Sequence, residues 1–106
     1  MHQLRSLLMC AALAMAPLAA SAADHQVVID QHMFMPAQLT IHPGEQVTWI
    51  NKDTDPHTVF SNDHGKTFRS AVLDPGRRFS RTFPAAGTFA YYCSVHPYMQ
   101  GTVIVK

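Results

Sequence analysis

The hydrophobic pattern changes character near residue 23. Ahead of that point, Leu7 to Ala20 is one apolar run broken only by Pro17. Beyond it, apolar residues come in short runs rich in Val, Ile, Thr and aromatics, with turn residues between them, which is the pattern of β-strands. The runs are Val27-Val28-Ile29, Gln38 to Ile41, Val47 to Asn51, His57 to Ser61, Arg77 to Phe83, Thr88 to Cys93 and Thr102 to Lys106, the last opened by Gly101. His42-Pro43-Gly44-Glu45, Asp74-Pro75-Gly76 and Pro84-Ala85-Ala86-Gly87 punctuate them, since Pro presets φ and Gly accepts positive φ. No stretch after residue 23 sustains a helical period. Strands spaced this closely predict an all-β domain, either a two-sheet sandwich or a barrel. The least regular segment, Ser61 to Leu73, is expected to be a loop or a short helix.

Alternation along the strands assigns faces. Trp49, the only tryptophan, shares a face with Val47 and is expected in the core. Phe89, Tyr91 and Cys93 share a second inward face, which leaves Cys93 pointing inward at a strand end.

The N-terminal run has the form of a secretory signal. The free amine and Arg5 supply positive charge, and Ala20-Ser21-Ala22 and Ser21-Ala22-Ala23 are both small-residue cleavage patterns. The run is shorter than the roughly 20 apolar residues that a membrane span needs. Residues 1–23 are therefore predicted to be a cleaved signal and residues 24–106 one domain, exported to the periplasm with no membrane anchor; a folded N-terminal helix is the competing reading. About 83 residues remain, near the lower limit for a self-sufficient core. Seven acidic and seven basic side chains balance in this part of the chain, and nothing in that balance suggests nucleic acid or a strongly charged partner. Arg69, Arg77, Arg78 and Arg81 cluster in sequence, either as a solvated strand face or as a docking patch for an acidic partner.

Export also changes the cysteine count. Cys10 leaves with the signal and Cys93 stays alone in a compartment that favours disulfides. A lone thiol there is bridged to another chain, buried, catalytic or bound to a metal. Its neighbourhood favours the metal: Cys93, His96 and Met99 follow one another at intervals of three. His57, after the turn-forming Asp53-Thr54-Asp55-Pro56, is the best fourth donor. Two imidazoles, a thiolate and a thioether suit copper, and a His-His-Cys plane with a weak axial Met describes a blue-copper electron-transfer site. Zinc prefers more thiolates or carboxylates. Taken singly, Cys93 could be a buried hydrophobe, Met99 core filler and His96 a loop histidine; their shared spacing argues for the site. His25, His32, His42 and His64 are expected at the surface. Met33 and Met35 are expected to pack in the core or at the rim of the site, with copper loading or partner contact as the alternative.

The segments FMPAQLTIHPGEQVTWINKDTDPHTVF and FPAAGTFAYYCSVHPYMQGTVIV, in that order, resemble the cupredoxin family, most nearly its amicyanin branch and more distantly plastocyanin and pseudoazurin. The resemblance implies a Greek-key two-sheet β-sandwich holding one type 1 copper ion on His57, Cys93, His96 and Met99. It also implies a soluble one-electron carrier, expected to act as a monomer that docks transiently with redox partners near His96. Two positions depart from the family pattern: Thr58 stands where Asn is usual, and Val95 where Pro is frequent. Val95 restores an amide hydrogen that, aimed at the Cys93 sulfur, would favour Cu(I).

Two other readings compete with the carrier. One is a copper module for delivery or sequestration, using the same ligands. The other is a Cys–His nucleophilic enzyme built on Cys93 and His96, for which no orienting acid or oxyanion loop is evident in the sequence. Cleavage after Ala22 would also expose Ala23-Asp24-His25 as a terminus able to wrap Cu(II) in four nitrogens.

Overall fold

A computed structural model describes residues 23–106; the predicted signal, residues 1–23, lies almost wholly outside the described residues. Eight strands form two sheets: β1 (Asp24–Asp30), β2 (Met33–Met35), β3 (Gln38–Ile41), β4 (Gln46–Asn51), β5 (Phe60–Ser61), β6 (Arg78–Thr82), β7 (Gly87–Cys93) and β8 (His96–Val105). One sheet runs β2-β1-β4-β6 and the other β3-β8-β7-β5. Each is mixed, because β1 pairs parallel with β4 and β3 parallel with β8. The all-β sandwich is therefore the observed architecture, and no helix long and apolar enough to cross a membrane occurs among the described residues.

The core follows from the alternation. Trp49 and Val47 are fully buried and Tyr91 nearly so. The Trp49 ring meets Tyr91 edge-on at 5.3 Å and is flanked by Phe68, Phe79 and Phe83 at 6.1, 5.7 and 6.5 Å. These aromatics bring the two sheets together with large apolar areas. Burial pushes the Tyr91 hydroxyl up to about 12. Tyr91 pairs with Gly101 across β7 and β8, and its ring lies so close that a Cβ on Gly101 would sit 2.3 Å from it. Gly101 is required here by close approach.

Several elements differ from the sequence expectation. β2 is a strand that the run-by-run reading omitted. Its burial alternates exposed, buried, exposed, with Phe34 packed against Tyr91 at 4.8 Å, so Met33 and Met35 face outward and are not core residues. The last strand starts at His96 and not at Gly101, which turns the expected ligand loop into the beginning of β8. Ser61 to Leu73 is a loop without a helix. Asp63 organises it by accepting the Lys66 and Thr67 amides at 2.9 and 3.2 Å, and these with the Ser61 and Thr67 hydroxyls hold its carboxyl well below the usual range. Of the clustered arginines, Arg81 lies over the Phe68 and Phe83 rings at 5.0 and 5.3 Å and Arg69 over Phe60 at 5.8 Å, while Arg77 and Arg78 are exposed. At the start of the fold, β1 takes up Asp24 and His25 beside Gln46 and Val47, and the His25 ring is held by Glu45 at 3.0 Å.

Candidate metal centre

The β7–β8 hairpin carries three of the four predicted donors. Cys93 and His96 are directly paired residues that close it, with Ser94 and Val95 as the two-residue connection. Cys93 continues the inward face of β7, fully buried behind Tyr91. On β8 the inward positions are Met99, Gly101, Val103 and Val105, so Met99 reaches the same end of the core by strand register, at 2% exposure. His96 is half-buried at the rim.

His57 arrives from the other sheet. Asn51, the fully buried last residue of β4, folds the connection that carries it. Its amide nitrogen donates to the carbonyls of Asp55 and Leu73, both at 2.8 Å, and its oxygen accepts the Asp53 amide at 2.9 Å. His57 then bridges to Leu73 through two backbone hydrogen bonds of 3.1 and 2.7 Å. The result places Asp53 Oδ2 2.8 Å from His57 Nε2. A carboxylate can only accept, so Nε2 carries the proton and Nδ1 presents its lone pair inward. That carboxylate, held chiefly by His57 and secondarily by the His32 amide, lies well below the ordinary range of an aspartate.

Three donor atoms converge. His57 Nδ1 lies 3.7 Å from Cys93 Sγ and 3.2 Å from His96 Nδ1, and Cys93 Sγ lies 3.8 Å from His96 Nδ1. A triangle of two imidazole nitrogens and one sulfur of this size could hold one metal ion, since zinc and copper bonds to nitrogen and sulfur run about 2.0–2.3 Å. The sulfur takes a hydrogen bond from the Thr58 amide at 3.3 Å. The amide that reaches it is thus Thr58's and not the one expected at Val95, a half-exposed residue. Thr58 also ties the two ligand-bearing segments together: its Oγ1 accepts the Ser94 amide at 2.7 Å and is hydrogen-bonded to the Ser94 hydroxyl at 2.7 Å.

One residue beside the donors escaped the sequence reading. His32, expected at the surface, is half-buried against the donors, its ring edge-on to His57 at 5.2 Å and to His96 at 4.8 Å. Its ligand atoms lie within 4.8 Å of those of His57 and His96. Gln31 and His32 form the two-residue turn between β1 and β2, with φ of 51° and 57°. Such a turn favours Asn-Gly, and ordinary side chains adopt it at a cost. The turn is held from below: Asp53 Oδ2 accepts the His32 amide at 3.0 Å, and the His32 Nε2 lies 2.9 Å from Asp55 Oδ2. The available signal was the adjacency of VVI and MFM around Asp30-Gln31-His32, two short β runs joined by a tight connection.

Comparison with known proteins agrees with this geometry. The family model described as a Cupredoxin-like domain matches residues 3–105. The chain is similar to amicyanin from Paracoccus denitrificans, 33% identical over 93 residues, covering 83% of this chain and 71% of that protein. It is also similar to plastocyanin from Scenedesmus fuscus, 35% identical over 85 residues, covering 70% and 87%. Among solved structures, a novel purple cupredoxin from Nitrosopumilus maritimus superposes with a TM-score of 0.73 at 34% identity, over 77% of this chain and 99% of that one. Solved structures similar to this chain include the Cu(I) form of an amicyanin variant, at 30% identity and a TM-score of 0.73 over 83% of this chain and 87% of that one.

Proposed function

The chain belongs to the cupredoxin-like family, and from that premise we propose that it is an exported one-electron carrier whose type 1 copper is bound by His57, Cys93, His96 and Met99. The observation that carries this reading is the convergence of His57 Nδ1, Cys93 Sγ and His96 Nδ1 at mutual distances of 3.2–3.8 Å in a buried pocket. Copper supplies, when bound, a single-electron couple between Cu(II) and Cu(I). The protein supplies the rest. Cys93 provides the anionic sulfur, with its charge moderated by the Thr58 amide. Asp53 orients His57 and strengthens it as a donor. Met99 would supply a weakly held thioether donor. Because Asn51, Asp53, Thr58 and Ser94 hold the donors from both sheets, the ligands need move little between oxidation states.

Electrons pass at the rim. His96 is the donor nearest solvent, and its surroundings are apolar and exposed: Tyr98 is 69% exposed, Val95 50%, and Pro56 and Pro97 lie open as well. A small apolar surface of this kind suits brief docking of redox partners. Residues 1–23 direct the protein to the periplasm as a signal, and residues 24–106 act there as a monomer. The role is that of a carrier and not of a thiol enzyme: Cys93 is fully buried, whereas a nucleophilic cysteine must meet its substrate.

Spectroelectrochemistry of the copper-loaded protein tests the reading. A reversible one-electron transition with copper retained in both states is expected. Ejection of copper on oxidation, or the lack of any stable Cu(II) form, would transfer the chain to copper delivery or sequestration.

A further inference from the structure

We propose that His32 and Met33 form the port through which Cu(I) reaches the buried donors, an inference that rests on the copper reading above. A groove of about 490 Å³ opens beside the centre, lined by His32, Met33, Phe34, Tyr98 and Met99 among others. Three of these side chains carry soft or borderline donors, and they are graded in depth. Met33 is 49% exposed at the mouth, His32 is half-buried, and Met99 is 2% exposed at the inner end. Thioethers and imidazoles are the donors Cu(I) selects. Along this series a cuprous ion exchanges one donor for the next without being released to water, and meets Met99 and the His96 edge last.

The mouth also attracts a cation. Asp53 and Asp55 flank the His32 ring, with Nδ1 3.6 Å from the one carboxylate and Nε2 2.9 Å from the other. Asp55 is half-exposed, so its negative charge is felt from solvent. The backbone gives an independent sign of purpose. His32 occupies a left-handed conformation in a turn with no Gly or Asn, and the Asp53 carboxylate that orients His57 also anchors the His32 amide. A strained turn held by the same group that positions a ligand serves to place the His32 ring. Met33 follows directly on the outward face of β2, where an apolar side chain is not needed for packing.

The test is transfer kinetics. Apoprotein is mixed with Cu(I) held by a chromophoric bis-chelator, and loss of the chelator's absorbance reports uptake. Met33→Leu preserves shape, and His32→Asn keeps a residue that tolerates positive φ, so both variants should fold. The double variant is expected to take up Cu(I) about tenfold more slowly. A port lowers a barrier without altering its end points, so release to excess chelator should slow by the same factor. Affinity and the spectrum of the oxidised form should stay unchanged. Uptake at the wild-type rate would overturn the port, as would slower uptake accompanied by weaker binding and unchanged release. A wild-type apoprotein that takes up no copper at all would instead overturn the copper reading, and the port with it.

Discussion

Two hairpins meet at the same end of the sandwich, and they hold their chemical groups in different ways. In β7–β8 the donors sit on the strands: Cys93 and His96 close the ladder, and Met99 follows in the inward register above Gly101. In β1–β2 the group sits in the turn itself, with His32 held in a left-handed conformation by Asp53. The first arrangement is built on a strand ladder, with a register shift between Tyr92 and Cys93, and a tightly packed core; the second depends on a carboxylate borrowed from another segment. The difference teaches that the centre's geometry is anchored by the sheets, while what controls access to it hangs from side-chain hydrogen bonds.

Breaking the first hairpin should therefore have the largest effects. Cys93→Ser replaces the only cysteine sulfur among the described residues with a hard, weakly acidic hydroxyl. Loss of the thiolate-to-copper absorption is expected in full, and a variant that keeps the band would refute the ligand assignment. Next comes Gly101→Ala, whose new Cβ would meet the Tyr91 ring at 2.3 Å. Overpacking at such a site costs about 3 kcal/mol. Chemical denaturation should show that loss, and a change under half as large would mean that Tyr91 can move aside.

Asp53 joins the β1–β2 turn to the segment that carries His57, so Asp53→Asn sharpens the comparison. The substitution removes the charge from hydrogen bonds to both His57 and His32, each worth about 1.5–3 kcal/mol while the carboxylate is charged. The pH dependence has a definite sign. A carboxyl held low in the folded state adds stability above its unfolded value of about 4, and that stability fades as pH falls through the folded value. The apoprotein should therefore lose stability below about pH 4, and Asp53→Asn should lose less over that interval. Equal acid sensitivity in both proteins would show that Asp53 does not carry the effect. The smallest change is expected at Gln31, where φ is 51° and the side chain is exposed. Gln31→Gly relieves the left-handed conformation but adds freedom to the unfolded chain, for a net gain of at most about 1 kcal/mol. A loss of stability on calorimetry would show that the turn is unstrained.

The contrast also explains what could be read from the chain. Cys93, His96 and Met99 are close in sequence and belong to one strand pair, so local spacing announced them. His57 was legible because turn residues led into an apolar run. The strands of the core were legible because Trp49, Val47 and Tyr91 obey a period of two. His32 was not, since its neighbours in space come from two distant segments, residues 53–57 and His96, and its turn lacks the Asn-Gly signature. Asn51 likewise looked like a strand terminus, and its role appears only when its three hydrogen bonds are seen to shape the segment that carries His57. Thr58 makes the sulfur contact because its amide faces Sγ from the segment that carries His57, a relation that no linear spacing encodes.

The most direct measurement is a Cu(II) titration of the protein lacking residues 1–23, followed by visible absorption. The account predicts an intense thiolate-to-copper band that saturates at one equivalent, bleaches on reduction and returns on reoxidation. A colourless protein that binds Cu(I) tightly and forms no stable Cu(II) complex would contradict it.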